Sequence, residues 1–570
     1  MSENKSKKID LSRKNISALA DKFYNEGKFL SALRFAYREY ENYGGDGEVF
    51  VRLCDIYEAM ELRGSAIKWW FQFLDRASEE ETPEIYEGLA VNFLHIGNDS
   101  ISAYYYNRLI DVDDTLPEEV KMDIVDAFAT AKKSKMRFVY PPWLADYTKE
   151  VDTGSKFLKS GDCERAAEEL SKVAKGSKQY AQAKEMQAVA FLLSGKTDEA
   201  ERACLELLEE TPTDIRVRAT LAATYLEQGR TEESKAIALE LSARKTEDTD
   251  ELYKIATVCC ENELHAEAYE RFRALDKKAP YDGRTLYFKA VSAYKSGDID
   301  EAERTLSQLC TIYPDAEVAK YYLKAIHEYQ RGEAEKPELI YFYHLPQEER
   351  EKRCRSLIQV GKSPKDEAQI FGLLLLHDGY FSWCFDEMDG GDHDLQYLGL
   401  VTAAHVRADE FIRDILLDYE VIDVLKIETL RLLLERNEEM ELGIVLCNIY
   451  KRICLPRVNI GRKRHKKFIE AYAKLASKFI VVKENYGAKI VTATETLYQA
   501  LAEYGSLDLV DNTDDCACAI FLLTGIKELG NNPEMIAAAF DANADRVKVL
   551  LSAAISKEYG IEKDKKDEID

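Results

Sequence analysis

Proline and glycine are scarce in this 570-residue chain, at 12 and 28 residues, which leaves little material for sharp turns and linkers. That shortage excludes a Pro/Gly-rich disordered chain and makes helices the first expectation. No apolar run reaches the roughly 20 residues that a membrane-spanning helix needs. The longest, Phe371–Leu376 and Leu442–Ile449, are the size of core helices. The opening residues, Met1 to Lys8, are polar and lack the apolar stretch of a secretory signal, so an intracellular, cytoplasmic protein is expected. No Cys-x-x-Cys pair occurs among the 12 cysteines, and Cys54, Cys204, Cys310 and Cys447 stand singly among apolar neighbours. They read as small buried hydrophobes, so neither a metal site nor a cofactor is expected. Phosphate loops, dinucleotide fingerprints, nucleophile elbows and His-Glu-x-x-His are missing as well, which points away from an enzyme.

Basic charge is in deficit, with 78 Lys and Arg against 104 Asp and Glu for a net charge of −26. Such a surface does not coat nucleic acid or an anionic membrane over its whole extent, although a local basic site remains open. Hydrophobic residues at 46% supply ample core. Within this composition the strongest feature is a repeat. Gly161, Gly195, Gly229, Gly297 and Gly332 are spaced by 34, 34, 68 and 35 residues, and Glu263 fills the missing slot. Five positions after each, through Ala302, stands a small residue: Ala166, Ala200, Ser234, Ala268 and Ala302 keep a strict period of 34. Pro212, Pro280 and Pro314 recur in phase.

Each position has a physical reason. In Phe191-Leu-Leu-Ser-Gly195-Lys-Thr-Asp-Glu-Ala200, the glycine permits the left-handed turn that ends one helix, and the acidic pair favours the start of the next. Ala200 then sits where two helices cross too closely for a larger side chain. This pattern resembles the tetratricopeptide-repeat family. The fold class expected is all-α, a tetratricopeptide-like right-handed helical solenoid followed by a C-terminal helical domain. A weaker set, Phe23…Gly27…Ala32, Tyr57…Glu61…Ala66 and Phe93…Gly97…Ser102, extends the repeat to 13–112. An interruption at 113–147, rich in Lys and holding Pro141-Pro142, separates it from a second array at 148–336, which stops where Pro337 replaces the packing alanine.

The resemblance implies a peptide or protein ligand in the groove lined by the first helix of each pair. Tyr253, Tyr287 and Tyr322 share one inward phase, and Tyr294 and Tyr329 another, with Arg216 and Arg284 at helix starts on the same side. Tyrosine with arginine is the composition recognition surfaces favour, although tyrosines can equally pack between helices. The family's carboxylate clamp uses Lys and Asn where this chain has Ser17, Asp21, Glu185 and Val189, so a clamp is not expected.

Beyond Pro337 the rhythm is lost. Residues 338–455 read as further helical hairpins, possessing apolar spacings such as Phe411-Ile-Arg-Asp-Ile-Leu-Leu. The loop from Asp389 to Asp394 fails the calcium-loop spacing. His377-Asp378, with His344 upstream, is similar to the ligand pair of HD-type metal-dependent phosphohydrolases but lacks that family's following residues. Between 451 and 489 stand 12 basic residues against two acidic ones, with the densest cluster at Arg462, Lys463, Arg464, Lys466 and Lys467. These are candidate ligands for nucleic acid or another polyanion, or a structural surface docked on the protein's own acids. Residues 467–557, within the 456–557 unit, weakly resemble a cyclin box with a helix-turn-helix of the transcription factor IIB type, which makes Arg546 and Lys548 candidates too, though Asp541 and Asp545 depart from that pattern. The charged tail 558–570 is expected to be disordered. The function expected is a non-catalytic interaction scaffold, with a nucleic-acid-contacting regulator as the alternative.

Overall fold

The computed structural model describes residues 12–113, 115–129, 147–175, 177–386, 392–461, 465–503, 505–530 and 532–558. Most of the expected joint at 113–147, the start of the acidic loop at Asp389, and the tail beyond Glu558 lie outside the described residues. Three helical hairpins open the chain: α1 (Arg13–Asn25) with α2 (Phe29–Tyr43), α3 (Gly47–Ala59) with α4 (Arg63–Arg76), and α5 (Thr82–His95) with α6 (Asp99–Val112). After α7 (Glu118–Ala129) the pattern resumes with α8 (Thr148–Lys159), α9 (Cys163–Ser171), α10 (Tyr180–Leu193), α11 (Thr197–Glu210), α12 (Ile215–Glu227) and α13 (Thr231–Ser242). It ends with α14 (Thr249–Glu261), α15 (His265–Lys278), α16 (Gly283–Ser296), α17 (Ile299–Ile312) and α18 (Glu317–Gln330).

The turns inside these hairpins are built alike. Gly161, Gly195 and Gly229 have φ of 77°, 75° and 77°, and the glutamates that stand in for glycine, Glu61 and Glu263, take the same left-handed conformation at 61° and 59°. One residue later the backbone N–H turns back to the carbonyl five positions earlier, as in Lys196 to Phe191 at 2.8 Å and Leu264 to Cys259 at 2.8 Å. These bonds satisfy carbonyls that a helix end would otherwise leave exposed. At the crossing position, Ala32, Ala66, Ser102, Ala166, Ala200, Ser234, Ala268 and Ala302 are all 0% exposed.

The cores join differently from the order of the chain. One continuous core runs through the first three hairpins, then α16 to α18, then most of the C-terminal part, where Leu400, Ile415, Val421 and Leu425 form a small core of their own. Helices α8 to α15 hold small cores of their own. The closure is carried by specific long-range bonds: Tyr57 Oη donates to the Ile312 carbonyl at 2.8 Å, and Lys68 pairs with Asp418 at 2.9 Å. Tyr105 Oη donates to the Asn448 carbonyl at 3.0 Å.

After α18 the chain runs without regular secondary structure to Pro346, and helices α19 (Gln347–Lys362), α20 (Lys365–His377), α21 (Tyr380–Trp383), α22 (His393–Val406), α23 (Asp409–Leu417) and α24 (Asp423–Leu434) follow. The expectation of helical hairpins throughout 338–455 is corrected here. Residues Met440–Leu446 (β1) and Ile449–Leu455 (β2) form an antiparallel hairpin. Its two-residue turn, Cys447 and Asn448, has φ of 50° and 64°, the geometry that matches strand twist. Tertiary contacts select the strands. Asp423 accepts the Cys447 N–H at 3.0 Å, and the fully buried Lys426 donates to the Val445 carbonyl at 2.6 Å. Burial pushes the Lys426 ammonium down to about 8. A Cβ at Gly443 would lie 2.1 Å from Asp75 Oδ1, so a larger residue there would have to displace the Asp75 carboxylate of α4, which accepts from Tyr450 Oη at 3.0 Å. Helices α25 (Lys466–Phe479), α26 (Glu484–Glu503), α27 (Thr513–Thr524), α28 (Pro533–Ala539) and α29 (Ala544–Glu558) complete the chain. No described helix is long and apolar enough to cross a membrane.

Candidate partner-binding grooves

The first helices of the three N-terminal hairpins enclose an open cleft of about 660 Å³. Asp21 and Tyr24 reach it from α1, Glu48 and Asp55 from α3, and Glu84 from α5, with Phe73 at its floor. Arg52 also lines it, but its guanidinium is already spent: it donates to Asp21 at 2.7 Å, to the buried Glu39 at 2.9 Å and to Ser17 at 2.8 Å. The two N-terminal positions where the family's clamp carries Lys and Asn, Ser17 and Asp21, are thus tied to an arginine of the next repeat. Desolvation, with Glu58 and Glu84 close by, raises the Asp55 carboxyl to about 6. The cleft is acidic with aromatic walls. Its residues were not singled out from the sequence as a site, yet a signal existed: Asp21 and Asp55 lie 34 apart, and Glu48 and Glu84 lie 36 apart, the spacings of these repeats.

The tyrosine ladder is a second groove, and it is full. Residues 337–345 cross α14, α16 and α18 without regular secondary structure, bending at 341–344 where the His344 N–H donates to the Phe342 carbonyl at 2.8 Å, with Leu339, Tyr343 and Leu345 buried and Phe342 turned out at 69% exposure. Tyr294 Oη donates to the Pro337 carbonyl at 2.7 Å. Tyr287 Oη lies 3.1 Å from the Ile340 carbonyl and 3.0 Å from the Phe342 carbonyl and shares its one proton between them, and Tyr322 Oη donates to the His344 carbonyl at 3.0 Å. In this structure the hydroxyls of Tyr287, Tyr294 and Tyr322, expected to line a partner surface, bond the chain's own segment. Tyr253 is half-buried and packs edge-on against Phe272 of α15. Tyr329 and Arg284 are half-buried, and Arg216 pairs with Glu185 at 3.8 Å.

Of the candidate polyanion ligands, Arg462, Lys463 and Arg464 lie outside the described residues. Lys466 is exposed and faces Glu470 at 3.5 Å. Lys467 bonds the Asp511 carbonyl, and Arg546 bonds Asp511 and, at 3.2 Å, Asp515. Lys548 faces Asp545 at 3.4 Å. Elsewhere in the basic stretch, Lys483 pairs with Glu528 at 3.0 Å and Lys451 donates to the Val481 carbonyl at 2.8 Å. The described cations mostly dock on the protein's own acceptors. His377 and Asp378 sit exposed at the end of α20, 3.2 Å apart, while His344 belongs to the groove segment. Among the described residues no three His, Cys, Asp or Glu side chains converge as a metal site would require.

Tetratricopeptide-repeat family models match residues 151–215, 191–257 and 283–308. No curated protein matches the chain. Among solved structures, yeast Tom70 aligns over 97% of this chain and 100% of its own, at 12% identity and a TM-score of 0.27. The Cut9–Hcn1 hetero-tetramer of the APC/C aligns over 96% and 97%, at 12% identity and a TM-score of 0.23. At those scores the assignment rests on the family matches together with the recurring turn and crossing geometry. Residues 151–257 and 283–308 match tetratricopeptide-repeat models, and the fold is an all-α helical-repeat solenoid apart from the β1–β2 hairpin.

Proposed function

We propose that this chain is a non-catalytic scaffold that captures a partner protein in the cleft of α1, α3 and α5, and that the partner presents a basic segment there. One observation carries the reading. The cleft is an open groove on the repeat helices, and Asp21, Glu48, Asp55 and Glu84 face it while Arg52, the lining cation, is already paired. A Lys or Arg entering it meets Glu48, Asp55 and Glu84, which no described cation in the cleft pairs, while Asp21 is already held by Arg52, and its aliphatic stem lies against Tyr24. Complementary charge of this kind sets register and speeds encounter more than it adds raw affinity. The test is affinity capture from the protein's own cells after nuclease treatment, comparing wild type with Asp55→Lys/Glu84→Lys. A partner that binds wild type and is lost from the variant, with helicity unchanged, supports the reading. A partner held equally by both overturns it.

A further inference from the structure

Pro337 stands where the next repeat would place its packing alanine, so α18 has no second helix of its own. In its place residues 337–345 run as a peptide would in a groove. Leu339 at 1%, Tyr343 at 6% and Leu345 at 2% exposure point in, Glu338, Phe342 and His344 are exposed, and Ile340 is half-buried. Tyr341, also on the inward side, is half-buried, with its hydroxyl 2.9 Å from His265 Nδ1. Tyr343 sets its ring edge-on to Tyr287, 4.8 Å between centroids, and its hydroxyl donates to Asp386 at 3.0 Å. The carbonyls of the segment are held by Tyr287, Tyr294 and Tyr322.

Two features separate this segment from a structural loop. Its grip comes from side chains, those of the repeat helices and Asp386: among the described residues no backbone–backbone hydrogen bond joins 337–345 to a helix or strand. Leaving the groove therefore breaks no secondary structure. Residues 331–336, which lead into it, are all exposed. Hydroxyls that bind carbonyls are indifferent to sequence, whereas the inward pockets select apolar and aromatic side chains at alternate positions.

We propose that the groove of α16 and α18 is a peptide site that the chain fills in cis, and that residues 337–345 are a tethered competitor for a segment of another protein carrying the same pattern, Leu-x-Tyr-x-Tyr-x-Leu. This site is separate from the acidic cleft and stands or falls without it. A tether keeps a segment at an effective concentration near millimolar, so an outside peptide of equal intrinsic affinity is excluded at micromolar levels.

The experiment uses a fluorescein-labelled peptide of residues 336–346 and the full chain. Leu339→Ser/Tyr343→Ser removes two anchors and releases the resident segment. The peptide binds this variant at least tenfold more tightly than wild type, and adding Tyr287→Phe/Tyr322→Phe to the variant weakens it again. Equal binding to wild type and variant, or no binding to a variant that keeps its helicity, overturns the proposal. Should the variant lose helicity, hydrogen exchange on wild type decides: millimolar unlabelled peptide accelerates exchange across 338–345, and unchanged exchange refutes displacement.

Discussion

The hydroxyl of Tyr287 lies between two carbonyls of the same segment, 3.1 Å from Ile340 O and 3.0 Å from Phe342 O. A residue of the repeat groove thus spends its hydrogen-bonding capacity on the chain's own backbone. Tyr287→Phe leaves both carbonyls without this donor while keeping the ring packing. The expected cost is about 1–2 kcal/mol, read as faster hydrogen exchange across α16 and α18 with little change in α10 to α12.

Asp386 ties the same region together at its other end, accepting the Val318 N–H at 2.7 Å and the Tyr343 hydroxyl. Burial raises its carboxyl to about 7, and the neighbouring Glu317 and Asp315 carboxylates add to the rise. The folded state therefore holds a proton that the unfolded state has released, and stability is lost as pH rises from about 4 through 7. Asp386→Asn stays neutral. Denaturation midpoints compared across this range should move in favour of the variant by up to about 1.4 kcal/mol per pH unit, levelling off above 7. A constant difference would exclude the titration.

Ser102 and Ser234 occupy the same crossing position but differ in partner. Ser102 Oγ donates to the Ala90 carbonyl at 2.7 Å, whereas Ser234 Oγ is buried without a hydrogen-bond partner. Replacing Ser234 with Ala should stabilise by about 1 kcal/mol, and the same change at Ser102 should destabilise by a similar amount. Thermal unfolding of the two variants checks the opposite signs.

Glu61 and Glu263 pay for a left-handed backbone that glycine adopts freely. Glu61→Gly and Glu263→Gly should each raise stability by about 1 kcal/mol. The converse change, Gly229→Ala, meets open space around the new methyl, so any loss there is a backbone effect alone. Melting curves for the three variants test the assignment.

Lys467, Arg546 and Lys548 all bond to the protein's own acceptors. Duplex DNA and structured RNA should show no binding by fluorescence anisotropy at physiological salt. Salt-sensitive binding that disappears on neutralising Arg462, Lys463 and Arg464 would restore the nucleic-acid reading.

The repeat was legible because its marks are local. A left-handed turn at Gly195 and a crowded crossing at Ala200 are demanded by the geometry of one hairpin, so they recur at each turn of the pattern and can be counted along the chain. The tyrosine phase was legible too, but its occupant was not, although Leu339, Tyr341, Tyr343 and Leu345 spell a period of two inside a helical protein. An alternation that short matches a strand, a loop or a bound segment equally well. The acidic cleft was similarly written in the spacing of Asp21 and Asp55 but shared its appearance with any solvated helix face.

By itself, then, the sequence determined the helical hairpins, their turns and their close crossings, since each depends on residues within one repeat length. Tertiary structure alone decided that Tyr57 meets Ile312, that Tyr105 meets Asn448, and that the β1–β2 hairpin replaces a helix over Asp423 and Lys426. Those contacts join residues hundreds of positions apart or draw on surfaces that exist only once the chain has closed, and no periodicity along the sequence records them.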